Sequence, residues 1–179
     1  PRRSPLPLGR HGTSQRRMSA ISVEVFGGRG GRFPPPPGPD LAACASLERR
    51  TFPKHEALTA TLAREAARPR GALLLARLRG GGPGELAGYL LLQWSSVAGS
   101  VSKLAVSERC RRAGVGEALV RRALRVLREE ARVRCCTLHV DVERAPARAL
   151  YAKLGFRVDC EVPDYYCQGR HAHRMVLEW

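Results

Sequence analysis

Short apolar stretches alternate with turn-forming and charged residues along most of the chain, and their periodicity predicts strands and helices. The runs typical of strands are 21–26, 71–78, 84–94, 100–108, 135–142, 156–162 and 171–179. Helices are predicted over 41–50 with Asp40 as N-cap, over 55–68, over 115–131, and over 145–156 with Gly155 as the stop. The order β-α-α-β-β-β-α-β-α-β-β predicts an α/β sandwich with helices on both sides of a mixed sheet.

The helix predicted after Gly114 has the clearest periodicity. Its apolar residues recur at helical spacing on one face: Val115, Leu119, Ala123, Leu124, Leu127 and Ala131. Arginines occupy the opposite face: Arg121, Arg122, Arg125 and Arg128. This pattern predicts a helix that packs on the sheet through its apolar face and exposes its arginines to solvent.

Composition adds charge to this picture. The chain has 179 residues, enough for one domain with a sizeable core. Its 31 basic and 16 acidic residues give a formal net charge of +15, and only Lys54, Lys103 and Lys153 are lysines. Such a balance favours polyanions or acidic substrates, so a nucleotide-like cofactor, a nucleic acid and an acidic peptide all fit it.

Residues 1–17 lack acidic side chains and have little to bury, so we expect a basic tail before a single domain over 18–179. The tail also fits a transit peptide, which would place the protein in a plastid or another organelle instead of the cytoplasm. The six cysteines have no C-x-x-C or Cys/His ligand spacing, which predicts reduced thiols of an intracellular protein and no metal site. No apolar run is long enough to cross a membrane, so we expect a soluble protein.

The segment RRAGVG, residues 111–116, joins a predicted strand to the amphipathic helix. A glycine-rich turn at the start of a helix leaves several N–H groups without a backbone acceptor, at the positive end of the helix dipole. Such a turn is suited to binding an anion. The alternative is a helix cap that holds no ligand.

This segment, with a strand before it, a helix after it and ALYAKLGF farther on, resembles the signature of the GNAT superfamily of acyl-CoA-dependent N-acyltransferases. The signature R/Q-x-x-G-x-G/A is matched by Arg111, Gly114 and Gly116. The resemblance extends from Ile21 to Trp179 and implies the GNAT fold, a mixed, mostly antiparallel seven-stranded sheet with helices on both faces. It also implies acetyl-CoA as the co-substrate, without a metal.

The resemblance further implies where acetyl-CoA binds. Main-chain amides of the turn would hold its pyrophosphate, and the Arg111 side chain would add charge; the residues are Arg111, Arg112, Ala113, Gly114, Val115, Gly116 and Glu117. The edge of the preceding strand would pair with the pantetheine arm through Leu104, Ala105 and Val106. The N–H of Val106 would meet the oxyanion that forms during transfer.

Within the superfamily the chain is most similar to protein N-terminal acetyltransferases, including the bacterial ribosomal-protein type. The segment TFPKHE resembles the loop that lines their acceptor groove, which implies substrate contacts from Phe52, Pro53 and Lys54. The segment DYYCQGRHAHRMVL resembles their paired-tyrosine hairpin, which implies substrate contacts from Tyr165 and Tyr166.

The segment LHV places His139 where some relatives have a catalytic histidine, and Tyr151 follows in LYAKLGF. A histidine pKa of about 6.5 suits it as a base for an α-amine at about 7.7 to 8.0 better than for a lysine near 10.4. Tyr151 would protonate the departing coenzyme A thiolate. Glu48 and Glu56 flank the acceptor loop as alternative bases ranked below His139, and packing in the core is the alternative role for His139 and Tyr151.

Three functions follow from these residues. The first is acetyl transfer to the α-amine of peptide and protein N-termini, with lysine side chains as further acceptors; the second is acetylation of a small amine such as a polyamine or arylalkylamine. The third is an RNA- or ribosome-binding module with a vestigial cofactor site. The groove implied by TFPKHE and DYYCQG favours the first function. We expect a monomer that can also associate with ribosomes but not with membranes.

Two positions bear on specificity. Lys54 in the acceptor loop suggests tolerance for acidic or polar N-termini. Arg144 replaces an asparagine that often steadies the cofactor or the strand-helix connection in this family, so the fine geometry at that connection is open.

Overall fold

The structure, a computed structural model, describes residues 21–27, 33–79 and 85–179. The predicted tail over 1–17 and most of the 79–84 connection lie outside the described residues. The strands are β1 (Ile21–Gly27), β2 (Gly71–Leu78), β3 (Gly88–Trp94), β4 (Ala98–Val106), β5 (Cys135–Asp141), β6 (Arg157–Cys167) and β7 (Arg170–Glu178). The α-helices are α1 (Gly38–Thr51), α2 (Leu62–Ala66), α3 (Val115–Arg125) and α4 (Ala145–Lys153).

The strands form one sheet in the order β1-β2-β3-β4-β5-β7-β6. Only the β4–β5 pair is parallel within the described residues, and every other neighbouring pair is antiparallel. The expected fold, a mostly antiparallel seven-stranded sheet of the GNAT type with helices on both faces, is confirmed.

Alternating residues of the central strands divide the core into two layers. On one face, Leu74 and Leu90 pack with the apolar stripe of α3 and with Tyr151 of α4. On the other face, Leu73 and Leu91 pack with α1 and α2. The apolar stripe predicted for α3 is buried from Val115 to Leu127, as expected, and the arginines Arg121, Arg125 and Arg128 are exposed.

A β-bulge in β4 separates it from β5. Leu92 pairs with Val101 and Leu91 pairs with Lys103, which leaves Ser102 as an extra residue. The β4–β5 pairing runs only from Ala98 to Val101 and stops at that bulge. Beyond it, residues 104–106 pair with β3 on one side, while the side toward β5 is open among the described residues. The sheet therefore contains a gap between the second half of β4 and the second half of β5.

The helix predicted over 55–68 is wrong for its first half, because only Leu62–Ala66 is helical. Tertiary contacts take the backbone groups that a helix would use. The carbonyl of Glu56, which a helix would pair with the N–H of residue 60, accepts instead from Lys103 Nζ at 2.7 Å. The N–H of Leu58 donates to the Glu48 carboxylate at 2.6 Å. The segment between α1 and α2 is therefore an acceptor-side loop, residues 52–61.

Two helix ends also differ from the predictions. Helix α1 begins at Gly38 with Pro37 as N-cap, and Asp40 lies in the first turn, where it pairs with Arg77 instead of capping. Helix α3 ends at Arg125 and continues as one wider turn, Val126–Glu130. In that turn the N–H of Ala131 donates to the Val126 carbonyl five residues back, at 2.9 Å.

No helix among residues 21–27, 33–79 and 85–179 is both long and apolar enough to cross a membrane. The same ranges contain no group of three or more His, Cys, Asp or Glu side chains arranged to hold a metal ion. All six cysteines are free thiols, and burial raises the pKa of Cys44 and of Cys136 to about 12.

Candidate active site

The turn between β4 and α3 presents a row of unpaired amides. Backbone φ is +62° at Arg112 and +89° at Gly114, so the chain alternates in and out of the left-handed region just before the helix. Within the part of the chain that the structure describes, the N–H groups of residues 112–117 make no hydrogen bond of normal geometry. Successive amides in such a turn form a concave anion site, and the helix dipole adds to its positive potential.

Arg111 lies at the edge of this row of amides. Its N–H is not free, because it donates to the Glu108 carbonyl at 3.2 Å. The sequence-based expectation that the cradle begins at Arg111 is therefore wrong for its amide, and the free amides begin at Arg112. The Arg111 side chain lines a groove of about 520 Å³ between α1 and the turn, together with Arg50 and Arg109.

Gly116 allows the start of α3 to pack closely on β4 and α4. A Cβ at this position would lie 3.1 Å from Leu150 Cδ2 and 3.8 Å from Val106 Cγ2. Glu117, the next residue, ties the two helices together by accepting from Lys153 at 2.6 Å and from Arg121 at 2.9 Å. The bond from Lys153, with that from Arg121, lowers the pKa of Glu117. The amide row is thus held against the open edge of β4.

The open edge of β4 carries main-chain groups that face the gap. The N–H of Ser107 donates to the Ala87 carbonyl at 2.8 Å, so Ser107 directs its backbone toward β3. Successive strand residues direct their N–H and C=O to opposite sides. The backbone groups of Val106 and Leu104 therefore point into the gap, while those of Ala105 bond β3. The N–H of Val106 lies where the resemblance expects an oxyanion donor.

His139 and Tyr151 lie on opposite faces of β5. Leu138 and Val140, the neighbours of His139, are buried in the same layer as Tyr151, so His139 points to the other face, toward α1 and its loop. Its imidazole stacks on Tyr165, with ring centroids 4.4 Å apart and planes 12° apart. Burial and the nearby charge of Arg174 lower the pKa of His139, so the ring is neutral at pH 7.

Tyr151 is buried and remains a phenol at neutral pH. Its ring meets Phe156 edge-on at 5.8 Å. Burial raises its pKa, and the neighbouring Tyr166 raises it further. Burial likewise raises the pKa of Tyr166 to about 12. Both hydroxyls are therefore proton donors over the physiological range.

The paired tyrosines are held by the turn of the β6–β7 hairpin. Asp164 has a positive φ of 53°, and its carboxylate accepts from the Gly169 N–H at 2.7 Å. Its own N–H donates to His171 Nδ1 at 3.0 Å. His171, to which the sequence assigned no role, thus positions the tyrosines. Tyr165 and Tyr166 meet edge-on, with centroids 4.9 Å apart.

An ion-pair network joins the acceptor-side loop to the strand ends. Arg170, at the start of β7, donates to Asp141 through Nη2 at 2.5 Å and through Nε at 3.2 Å. Its Nη1 donates to Glu56 at 2.5 Å. Arg170 also lies 4.9 Å from the Tyr166 ring. The acceptor-side loop, β5 and the β6–β7 hairpin are therefore joined through the Arg170 guanidinium.

Phe52 lies beside this network under two cations. Lys103 Nζ is 3.8 Å from the ring centroid and Arg144 Cζ is 5.4 Å from it. Pro53 and Lys54, the other predicted loop residues, are exposed. Lys54 makes no hydrogen bond or ion pair with any described residue. The lysine that approaches the predicted acceptor site is Lys103, which the sequence did not single out.

The two alternative bases are already engaged. Glu48 is fully buried, where the Tyr89 hydroxyl and the Leu58 N–H donate to its two oxygens. Glu56 is bound by Arg170 and lies 3.8 Å from Arg144. Asp141, Arg170 and Lys103 went unpredicted because no local pattern links them, although each lies at a strand end or beside the bulge. A charged residue at such a place, next to a predicted site, was the available signal.

Comparison with known proteins also points to the GNAT acetyltransferases. Residues 41–156 match the acetyltransferase (GNAT) family. An N-alpha-acetyltransferase from Sulfurisphaera tokodaii is 32% identical over 105 residues, which are 52% of this chain and 63% of that protein. An uncharacterized N-acetyltransferase from Methanocaldococcus jannaschii is 32% identical over 95 residues, 52% of this chain and 60% of that protein. The chain thus spans less than two thirds of the length of these curated relatives.

A solved structure with the same fold is the ribosomal-protein-S18-alanine N-acetyltransferase from Escherichia coli, with a TM-score of 0.70 at 23% identity over 88% of this chain and 93% of that chain. At this identity the likeness shows the fold alone. Because the family match covers most of the chain, from the first helix to the end of the LYAKLGF segment, this protein belongs to the GNAT acetyltransferase family.

Proposed function

We propose that this protein transfers the acetyl group of acetyl-CoA to the α-amine of protein N-termini. The observation that carries the proposal is the gap beside the bulge at Ser102. It has free amides at one end, and His139 and Tyr151 lie on opposite faces of the strand that borders it. A thioester placed in this gap would have a proton acceptor on one side and a proton donor on the other.

The residues around the gap fit acetyl-CoA. The free amides of residues 112–117 match a pyrophosphate, and the open backbone groups of Leu104 and Val106 match the amides of a pantetheine arm. Arg50, Arg109 and Arg111 supply positive charge beside the turn, where a further phosphate of the coenzyme would be stabilised. The co-substrate supplies the activated acetyl carbon.

The chain's own residues would then transfer the protons and stabilise the negative charge that develops during the reaction. The amine nitrogen forms a bond to the acetyl carbon as the carbon–sulfur bond breaks. His139, neutral at pH 7, takes the proton that the amine loses, directly or through a water, a role that contributes about 10²- to 10⁴-fold. The Val106 N–H stabilises the negative oxygen, and Tyr151 gives its proton to the leaving thiolate.

Two features favour an α-amine as the acceptor. A lysine amine is about 2.5 pKa units more basic than an α-amine, so its deprotonation costs about 3.4 kcal/mol more at neutral pH. Two cations, Lys103 and Arg144, border the Phe52 ring, and the nearby carboxylates of Glu56 and Asp141 are already bound by Arg170, which disfavours a polyamine substrate. Exposed residues of the acceptor-side loop and the exposed side chain of Tyr165 leave room for a peptide chain.

A competition experiment tests the proposal. The purified protein is incubated with acetyl-CoA and an equimolar mixture of free-amine peptides, N-terminally blocked lysine peptides and spermidine, and the products are identified by mass spectrometry. We expect most product on the α-amines. Acetylated spermidine as the main product would replace this function with the small-amine one, and no product on any amine, together with no heat of binding to coenzyme A, would overturn it.

A further inference from the structure

Two cations border the Phe52 ring without a carboxylate bonded to either. Lys103 Nζ donates one hydrogen bond, to the neutral carbonyl of Glu56 at 2.7 Å. Arg144 makes no hydrogen bond through its side chain in the described ranges, and its nearest carboxylate, that of Glu56, is 3.8 Å away. We call Phe52, Lys103 and Arg144 together the Phe52 pocket.

The carboxylates near the Phe52 pocket are committed elsewhere. Glu48 binds the Tyr89 hydroxyl and the Leu58 amide. Asp141 and one oxygen of Glu56 bind Arg170. Arg170 is therefore matched by two acids, while the two cations of the Phe52 pocket keep most of their N–H groups free for a ligand.

Burial makes this arrangement specific for an anion. Lys103 is half-buried, and the loss of water around it lowers its pKa. Arg144 forms only a long ion pair with Glu56, at 3.8 Å, and Glu48 and Glu56 act on Lys103 without a direct side-chain bond. A half-buried cation whose nearby carboxylates already bind other partners gains more from a bound carboxylate than an exposed lysine does. Lys103 and Arg144 come from different elements, β4 and the N-terminus of α4, so together they define one position for the anion.

We propose that the Phe52 pocket binds the side-chain carboxylate of an acidic first residue, so that the preferred acceptors are peptides that begin with aspartate or glutamate. The inference rests on the proposed function, because it takes the acceptor amine to lie beside Phe52. The free amides for the pyrophosphate lie beyond Val106, at the other end of the open edge of β4, so the two anions occupy separate places.

Arg144 makes this specificity a property of this chain. It occupies the N-cap of α4 and reaches toward Phe52, where an asparagine, which is shorter and uncharged, would supply no cation. Its role is to select the acceptor and not to take part in the chemistry. Its removal should therefore lower kcat/KM more for acidic peptides than for their neutral counterparts.

Steady-state kinetics with isosteric peptide pairs test the inference. Peptides that begin with Asp or Asn, and with Glu or Gln, are otherwise identical and carry free α-amines. We expect kcat/KM to be at least about tenfold higher for each acid than for its amide, as one charge-assisted hydrogen bond supplies. Lys103→Met and Arg144→Gln should each reduce that ratio several-fold, and Lys103→Arg should keep most of it.

Arg64→Gln is the matched control. Arg64 is 75% exposed on α2, and the substitution removes the same charge without touching Phe52. It should leave the ratio unchanged; an equal loss in Arg64→Gln and Arg144→Gln would mean that net charge, and not the pocket, selects acids. Acetylation of all four peptides with a ratio near one would overturn this inference and leave the proposed function standing, whereas no acetylation of any α-amine would overturn the proposed function itself.

Discussion

The imidazole of His139 lies flat against the phenol ring of Tyr165, 4.4 Å from centroid to centroid. This contact links the proposed base to the hairpin, and it covers one face of a ring that is otherwise exposed. Because cover by Tyr165 removes water from the imidazole, it contributes to the lowered pKa of His139.

Tyr165→Ala should raise the pKa of His139 toward its ordinary value of 6.5, because the exposed imidazolium regains water. The neutral form, which can accept a proton, would then be lost at a higher pH as the solution is acidified. NMR titration of the His139 ring measures this midpoint directly. Tyr165→Phe keeps the stacked ring and should titrate like the wild type; a midpoint unchanged in Tyr165→Ala would show that the stack has no part in the shift.

Tyr151→Phe should lower kcat at least about tenfold, because the leaving thiolate loses its proton donor. The substitution retains the ring that packs on Phe156 and removes one hydroxyl only, so the melting temperature should change little. Turnover with a free-amine peptide and thermal unfolding check the two statements. Wild-type turnover in a folded variant would exclude Tyr151 as the acid.

Gly116→Ala should weaken acetyl-CoA binding, because the new Cβ would lie 3.1 Å from Leu150 of α4 and shift the start of α3, with its row of amides, away from α4. Calorimetric titration with coenzyme A measures the loss, which we expect to be about tenfold for a shift of a few tenths of an ångström in the amide row. Gly38→Ala is the matched control, since nothing lies within 4 Å of its Cβ. Equal affinities in the two variants would contradict the role of Gly116.

Arg170→Met should destabilise the fold by about 2 kcal/mol, less than the loss expected at a fully buried pair, because the guanidinium is 33% exposed. The variant leaves Asp141 and Glu56 without their shared cation. Urea unfolding of Arg170→Met, of Asp141→Asn and of the double variant that carries both substitutions measures the coupling. The double variant should lose less unfolding free energy than the sum of the two single losses.

The same pair predicts a pH dependence. Although burial opposes ionisation of Asp141, the bond from Arg170 and the amide of Glu143 lower its pKa below the ordinary 3.8. A carboxyl group with a lowered folded-state pKa contributes stability that is fully present above the unfolded-state pKa and is lost as the pH falls through the folded-state value. Unfolding free energies should therefore fall below about pH 4 in the wild type and fall less steeply in Asp141→Asn.

Residues whose surroundings are local in sequence were the predictable ones. The helical spacing of Leu119 and Ala123 predicts the buried face of α3 without further information. Gly114 indicates the turn before α3, because a residue without a Cβ readily adopts the positive φ needed there. The loop after Phe52 failed as a helix because Lys103, about fifty positions farther on, takes the Glu56 carbonyl. No periodicity encodes such a contact.

The candidate site shows the same difference between residues predictable from local sequence and residues whose contacts are distant in sequence. The position of His139 on β5 and that of Tyr151 on α4 followed from motifs, and in the structure the two side chains lie on opposite faces of β5. Their catalytic roles stay predictions. The bridge from Arg170 to Glu56 joins residues 114 positions apart, so only the folded chain reveals it. Lys54 was singled out because it lies in the loop itself, yet its side chain is exposed, and Lys103, which no motif marked, lies over the Phe52 ring.

The short β4–β5 pairing has a consequence for how the chain folds. Strands β2, β3 and β4 follow one another as antiparallel neighbours, and β6 and β7 form a hairpin, so each half can assemble from contacts close in sequence. The four residue pairs between Ala98–Val101 and β5 must wait for the crossover through α3. Contacts that close long loops form late, so we expect the two halves to join last, along the line where the gap between β4 and β5 lies.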